Sequence, residues 1–262
     1  MRTSRLTLMS FLVFMVVLSP LAQAKYPGEN GPDDISFYQP PSGDTFLPLD
    51  VKGKPENIIF LIGDGMGLSQ VNAARLKVSG ADGILYLEHM PVIGLVRTHA
   101  ENQLVTDSAA SGTALATGMK TSNGIVSQNP YGDKYMTILE AAQSLGKASG
   151  LVVTSALTHA TPATFGSHVS QRRKQNEIAA QYIESRIDVL LGGGRQFFLP
   201  AGVPGSVRTD ERNLVKEASE AGYACVDKKD ALMKIERGKV LGLFQMEALK
   251  TVDPEPSLAE MT

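Results

Sequence analysis

Ser108 follows Asp107 at the head of a run of small residues, Ala109-Ala110-Ser111-Gly112-Thr113-Ala114. The run predicts an alanine-rich helix opening behind a polar cap. Unpaired N–H groups and the helix dipole favour an anion at such a terminus, so this serine is placed for nucleophilic attack on an anionic substrate. An ordinary N-cap is the plainer reading of this segment alone. Asp64 closes the apolar run NIIFLIG (57–63) and precedes Gly65-Met66-Gly67. A carboxylate at the carboxyl end of a strand lies where open α/β sheets bind ligands, and it suits a hard cation or zinc; a helix cap is the plainer alternative. The glycines match neither the dinucleotide nor the P-loop fingerprint, since the third glycine and the Gly-Lys-Ser/Thr ending are missing. His159 and Thr161 precede and include the residue before Pro162, which biases Thr161 toward extended backbone, so both side chains are expected to reach one ligand. Arg172 lies eleven residues beyond Thr161. It is expected at the end of a helix of about three turns, with a planar fork suited to phosphate. A solvated basic helix end shared with Arg173 is the alternative. His89, His99 and His168 read as structural.

Five short apolar runs are expected as strands: 57–63, 91–97, 150–154, 187–191 and 240–244. Helices are expected at 68–78, 137–145, 175–185 and 210–221, with a Gly/Asn/Ser-rich loop over 119–134. Alternation of this kind predicts an α/β fold, a mostly parallel central sheet with helices on both faces. The second run leads through Thr98 to Leu104 into the Ser108 segment, so Asp64 and Ser108 are expected at the same sheet edge. No internal repeat is evident.

With 262 residues, 43% apolar content and a net charge of -2, the chain can bury a globular core. Nothing resembles a basic stripe with interleaved aromatics, which argues against nucleic-acid binding. Arg2 and Arg5 precede an apolar run over 6–18, and Ala22-Gln23-Ala24 follows. Residues 1–24 therefore read as a secretory signal cleaved after Ala24, and the protein as exported, periplasmic or secreted. The run is too short to span a bilayer, and no later segment is long enough, so no membrane span is expected after cleavage. Residues 25–54 read as a proline-rich arm preceding a domain over 55–262. The lone Cys225 allows no intrachain disulfide and is expected as a small buried hydrophobe. Ser257 and Glu260 have capping-box spacing, so a helix is signalled to start at Leu258, yet the sequence ends at Thr262. One turn of helix is not stable alone, and a truncated sequence is expected.

Three strings in register, IIFLIGDGMG at 58–67, VTDSAASGTALATG at 105–118 and THATPATFGSHVSQR at 158–172, resemble the alkaline phosphatases. The similarity covers about residues 55 to 262, roughly the N-terminal half of a family member. It implies an alkaline-phosphatase-like fold, incomplete at the C-terminus, with two Zn²⁺ and one Mg²⁺ per site. On this resemblance Ser108 is the nucleophile that becomes phosphorylated, Asp64 bridges one zinc and the magnesium, and Thr161 contacts the magnesium. Arg172 clamps two phosphate oxygens, and Asp107 flanks the nucleophile and positions Arg172. His159 falls where some members have aspartate and others histidine near the magnesium. The remaining ligands, a glutamate and several aspartates and histidines, belong to the later half of the family's chain. The full-length protein is thus expected to hydrolyse small phosphate monoesters through a phosphoserine, as a homodimer, and these residues alone to be inactive. Two alternatives are an exported phosphate- or metal-binding module without turnover, and a sulfatase or mutase of the same superfamily. Those relatives carry a modified cysteine or a threonine where Ser108 stands.

Overall fold

The computed structural model describes residues 56–80 and 82–262. The expected signal (1–24) and arm (25–54) lie outside the described residues. Those residues fall into two compact units, 73–91 and 56–72 with 92–262. In the first, the end of helix α1 (Leu68–Val78) precedes a 3-10 turn at Tyr86–His89. Arg75 Nε donates to Glu88 Oε2 at 3.2 Å, and the Leu85 N–H donates to the same oxygen at 2.7 Å.

The second unit holds the sheet. Its strands β1 (Gly150–Ala156), β2 (Val189–Gly193), β3 (Tyr223–Val226) and β4 (Lys239–Leu243) lie in the order β1-β2-β4-β3. Every pairing is parallel. Leu151 faces Leu190, Leu190 faces Leu241, and Cys225 faces Leu241. Successive side chains alternate between faces, so this row meets one core and the next, Val152, Leu191 and Val226, meets another. Helices α2 (Ser108–Thr117), α3 (Ile138–Ser144), α4 (Ala160–Gly166), α5 (Gln175–Glu184) and α6 (Leu214–Glu220) supply residues to the first core. Helices α7 (Lys229–Leu232) and α8 (Leu258–Met261) supply Leu232 and Met261 to the second. The expected parallel α/β sheet with helices on both faces is present. Leu190 is fully buried at the centre of the larger core. Leu190→Ala is expected to cost about 2–5 kcal/mol, read as a lower urea midpoint with unchanged slope.

Two expected strands are absent. Residues 57–63 and 91–97 pair with no strand of this sheet, and their apolar side chains are exposed, Ile59 by 78% and Ile93 by 90%. A continuous apolar run has the composition of a central strand, but a strand exists only where neighbours pair its N–H and C=O groups. The first run is nevertheless held. Lys147 Nζ, just before β1, donates to the Glu56 carbonyl at 2.9 Å, and the Phe60 and Phe165 rings lie 5.9 Å apart.

Other differences are smaller. β2 begins at Val189 rather than 187, and α6 begins at Leu214 rather than 210, because Asn213 accepts from the Lys216 N–H as its cap. Residues 208 and 210 instead form an ion pair in which the buried Arg208 guanidinium meets Asp210 Oδ1 and Oδ2 at 2.7 and 2.6 Å. β3 and α7 carried no signal strong enough to be expected. Cys225 is half-buried on β3 against the larger core, where burial pushes its thiol up. The Ser257–Glu260 capping box is formed and opens α8 as expected.

Candidate active site

Helix α2 starts where it does because the Asp107 side chain accepts the Ala110 N–H at 2.9 Å, while Gly118, at φ 75°, ends it in the left-handed region. Its small residues serve packing. Ala109, Ala110 and Ala116 are buried, and a Cβ on Gly112 would stand 2.6 Å from Thr164 Oγ1 of α4. Close contact of α2 and α4 brings their amino ends together. Ser108 opens one, and Thr161 stands in the first turn of the other.

Asp64 completes the cluster. Ser108 Oγ lies 3.1 Å from each Asp64 carboxylate oxygen, and Thr161 Oγ1 donates to Asp64 Oδ2 at 3.0 Å. These residues lie 44 and 97 positions apart in the chain. Asp64 is exposed, and both hydroxyl residues are half-buried.

A second cluster adjoins it. Arg172 donates through one terminal nitrogen to Asp107 Oδ2 at 3.1 Å, and its other lies 3.3 Å from His159 Nε2. Asp107 therefore caps the helix that Ser108 opens with one oxygen and holds the arginine with the other. The Gly124 N–H also donates to that second oxygen, at 3.1 Å. Burial pushes the Asp107 carboxyl up, but the N–H groups of Ala110 and Gly124, with Arg172, outweigh it and hold the group below the usual carboxylate range. A depressed carboxylate stabilises the fold fully above its unfolded pKa of about 4, and that stabilisation is lost as pH falls through the lower folded value. The urea midpoint is expected to fall on acidification less steeply in Asp107→Asn than in the wild type. Equal acid sensitivity in the two would refute this linkage. His159 is exposed at the N-cap of α4; partial desolvation, then the nearby Arg172 charge, lowers its ring below the ordinary histidine value, with Asp64 opposing.

Two local expectations change. Thr161 is not extended, because α4 starts at Ala160 and takes in Pro162. First-turn N–H groups lack intrahelical partners, so proline's missing donor costs little there. From the helix start Thr161 reaches Asp64, and His159 lies against Arg172. Arg172 is not on a helix, since α4 ends at Gly166. It is placed by an extended segment in which Val169 exchanges N–H···O bonds with Val126 at 3.0 and 3.1 Å, and the Arg172 N–H donates to the Gly124 carbonyl at 2.7 Å.

Asn123 was missed. Its Oδ1 accepts the Asp107 N–H at 2.9 Å, and its Nδ2 donates to the Val105 carbonyl at 2.9 Å, which fixes the backbone entering Ser108. The Asn-Gly pair signalled a turn within 119–134, and nothing local showed which segment the turn would meet.

Asp64, Ser108 and Thr161 present the oxygen donors a hard cation takes. Zinc requires three or four ligands, and among the described residues no three His, Cys, Asp or Glu side chains are grouped to hold a metal ion. The residues here fit part of a metal shell. An open polar groove lined by Gln143, Lys147, Ser185, Arg186 and Asp188 lies by the amino ends of β1 and β2, away from this site.

The pattern of the family described as Alkaline phosphatase matches residues 55–262. Alkaline phosphatase 4 of Bacillus subtilis (strain 168) is 39% identical over 227 residues, covering 80% of this chain and 47% of its own. The crystal structure of a cold-active alkaline phosphatase from the psychrophile Shewanella sp. superposes with a TM-score of 0.67 at 34% identity, covering 76% of this chain and 49% of that one. A mutant of the TAB5 alkaline phosphatase with Mg bound in its M3 site gives 0.62 at 28% identity, over 72% and 52% of the two chains. The chain spans about half the length of these relatives. On the family match and these identities, the chain belongs to the alkaline phosphatase family.

Proposed function

We propose that the protein to which this chain belongs hydrolyses phosphate monoesters with Ser108 as the nucleophile. The observation that carries this reading is the convergence of Ser108 and Thr161 on Asp64, with Arg172 held by the residue next to the nucleophile. Ser108 Oγ forms a bond to phosphorus as the ester P–O bond breaks, and the alcohol leaves with a proton. Water then displaces the serine, releasing inorganic phosphate and restoring the hydroxyl. Arg172 binds the non-bridging oxygens through parallel N–H groups, and the amino end of α2 adds a favourable field. Asp64 orients the attacking hydroxyl. The resemblance and the Mg-bound TAB5 relative support metal cofactors; Asp64 and Ser108 would hold zinc, Asp64 and Thr161 magnesium with His159 nearby, and the ions would supply activation of the hydroxyl and stabilisation of the leaving oxygen.

Every contact named is to phosphate, which favours a broad range of small monoesters. The reading of residues 1–24 supports export to the periplasm or medium, and among the described residues no helix is long and apolar enough to cross a membrane. A homodimer of the full-length protein rests on the resemblance alone. Ser108 favours phosphate over the sulfatase and mutase alternatives. The partial metal shell favours a second reading, a phosphate- or metal-binding module without turnover. Incubation with a chromogenic phosphate ester, Zn²⁺ and Mg²⁺, followed by acid quench and mass spectrometry, separates them: product and a phosphorylated Ser108 peptide support the enzyme, and phosphate binding with neither supports the module.

A further inference from the structure

We propose that His168, bonded through both ring nitrogens, is a positioning residue for Arg172. Its role rests on the phosphate-binding reading of that arginine. The ring is buried. Nδ1 lies 2.8 Å from the Ser127 carbonyl, and Nε2 lies 2.8 Å from Glu140 Oε1. A carbonyl only accepts, so Nδ1 carries a proton. The other nitrogen lies against Glu140, whose carboxyl is pushed up by burial but held below the usual range by His168 and the Thr137 N–H. No other charged group is in hydrogen-bond or ion-pair contact with the ring among the described residues.

Both acceptors are fixed independently. Glu140 is the capping-box residue of α3, accepting the Thr137 N–H at 2.8 Å. Ser127 sits at φ 47°, a conformation that costs a non-glycine residue, and its hydroxyl donates to the Thr164 carbonyl. His168 is thus clamped between α3 and a strained loop residue, while Gln181 of α5 bonds its backbone on both sides, at 2.7 and 3.1 Å. From this anchor the chain runs one residue to the Val169–Val126 bridge and four to Arg172, whose N–H is held by Gly124. Gly124 in turn donates to Asp107, so the distance between arginine and nucleophile is set through this strap.

The test compares wild-type protein with His168→Phe, which keeps a ring without donors, and His168→Gln, which can satisfy one acceptor and guards against misfolding of the first. Two-bond ¹H–¹⁵N spectra of the wild type are expected to show Nδ1 protonated, since it faces a carbonyl; an unprotonated Nδ1 overturns the proposal. Amide exchange at Val126, Val169 and Arg172 is expected to accelerate at least about tenfold in the variants while Val240 and Phe244 in the sheet stay within about twofold. Unchanged exchange at the three reporters, or uniform acceleration everywhere, overturns it. Inorganic phosphate supplies the functional arm: His168→Phe is expected to weaken binding more than about twofold with Arg172 present and less than about twofold in the Arg172→Ala background, because a residue acting through Arg172 loses its effect without it. Full additivity overturns the role. Failure of the wild type to bind phosphate would count against the proposed function, and the spectra and exchange would still decide the positioning.

Discussion

Ser108→Ala is expected to lower kcat of the proposed phosphomonoester hydrolysis by the full-length protein by at least about a thousandfold, because among the described residues no other hydroxyl opens α2. The substitution isolates chemistry from folding. The helix cap belongs to Asp107, alanine is the best helix former, and the lost bonds of Ser108 Oγ run only to an exposed carboxylate. Stability is therefore expected to stay within about 0.5 kcal/mol of wild type by urea unfolding. Thr161, the nearest alternative hydroxyl, faces Asp64 from the amino end of a different helix, so it does not inherit the approach line to phosphorus. Steady-state rates on a chromogenic ester, with mass spectrometry for a Ser108 phosphopeptide, check the prediction; a variant retaining a tenth of the wild-type rate would refute the assignment.

Arg172→Ala is expected to weaken inorganic phosphate binding about a hundredfold, the equivalent of one bidentate charge-assisted pair. Arg172→Lys should recover only a small part, since an ammonium lacks the planar fork that meets two oxygens at once. Neither change should unfold the protein. Asp107 keeps its bonds from Ala110 and Gly124, and the backbone N–H of residue 172 still donates to Gly124. Isothermal titration with phosphate gives the affinity directly. Equal binding by wild type and Arg172→Ala would mean that the guanidinium serves only to brace Asp107.

The helix behind Asp107, the helix over 137–145, the capping box at Ser257, and the buried strands at β1, β2 and β4 were all legible in the sequence, because each is decided within one or two turns of chain or by a short apolar run. The strings around Asp64, Ser108, Thr161 and Arg172 were legible too, since their residue types and order carried the resemblance. Tertiary contacts decided the rest. The runs 57–63 and 91–97 have strand composition without strand partners, and pairing is a property of two segments rather than one. Arg172 took its place from a bridge to Val126 that no helical periodicity predicts. Asn123 lay in an expected turn and His168 read as structural, but only the fold set one against Asp107 and the other between Ser127 and Glu140. The sequence by itself determined which groups are available to do chemistry. Only the folded chain decided that a hydroxyl and a carboxylate 44 residues apart would meet at 3.1 Å, because such contacts are made by helix packing and hydrogen bonds between segments that local propensity cannot see.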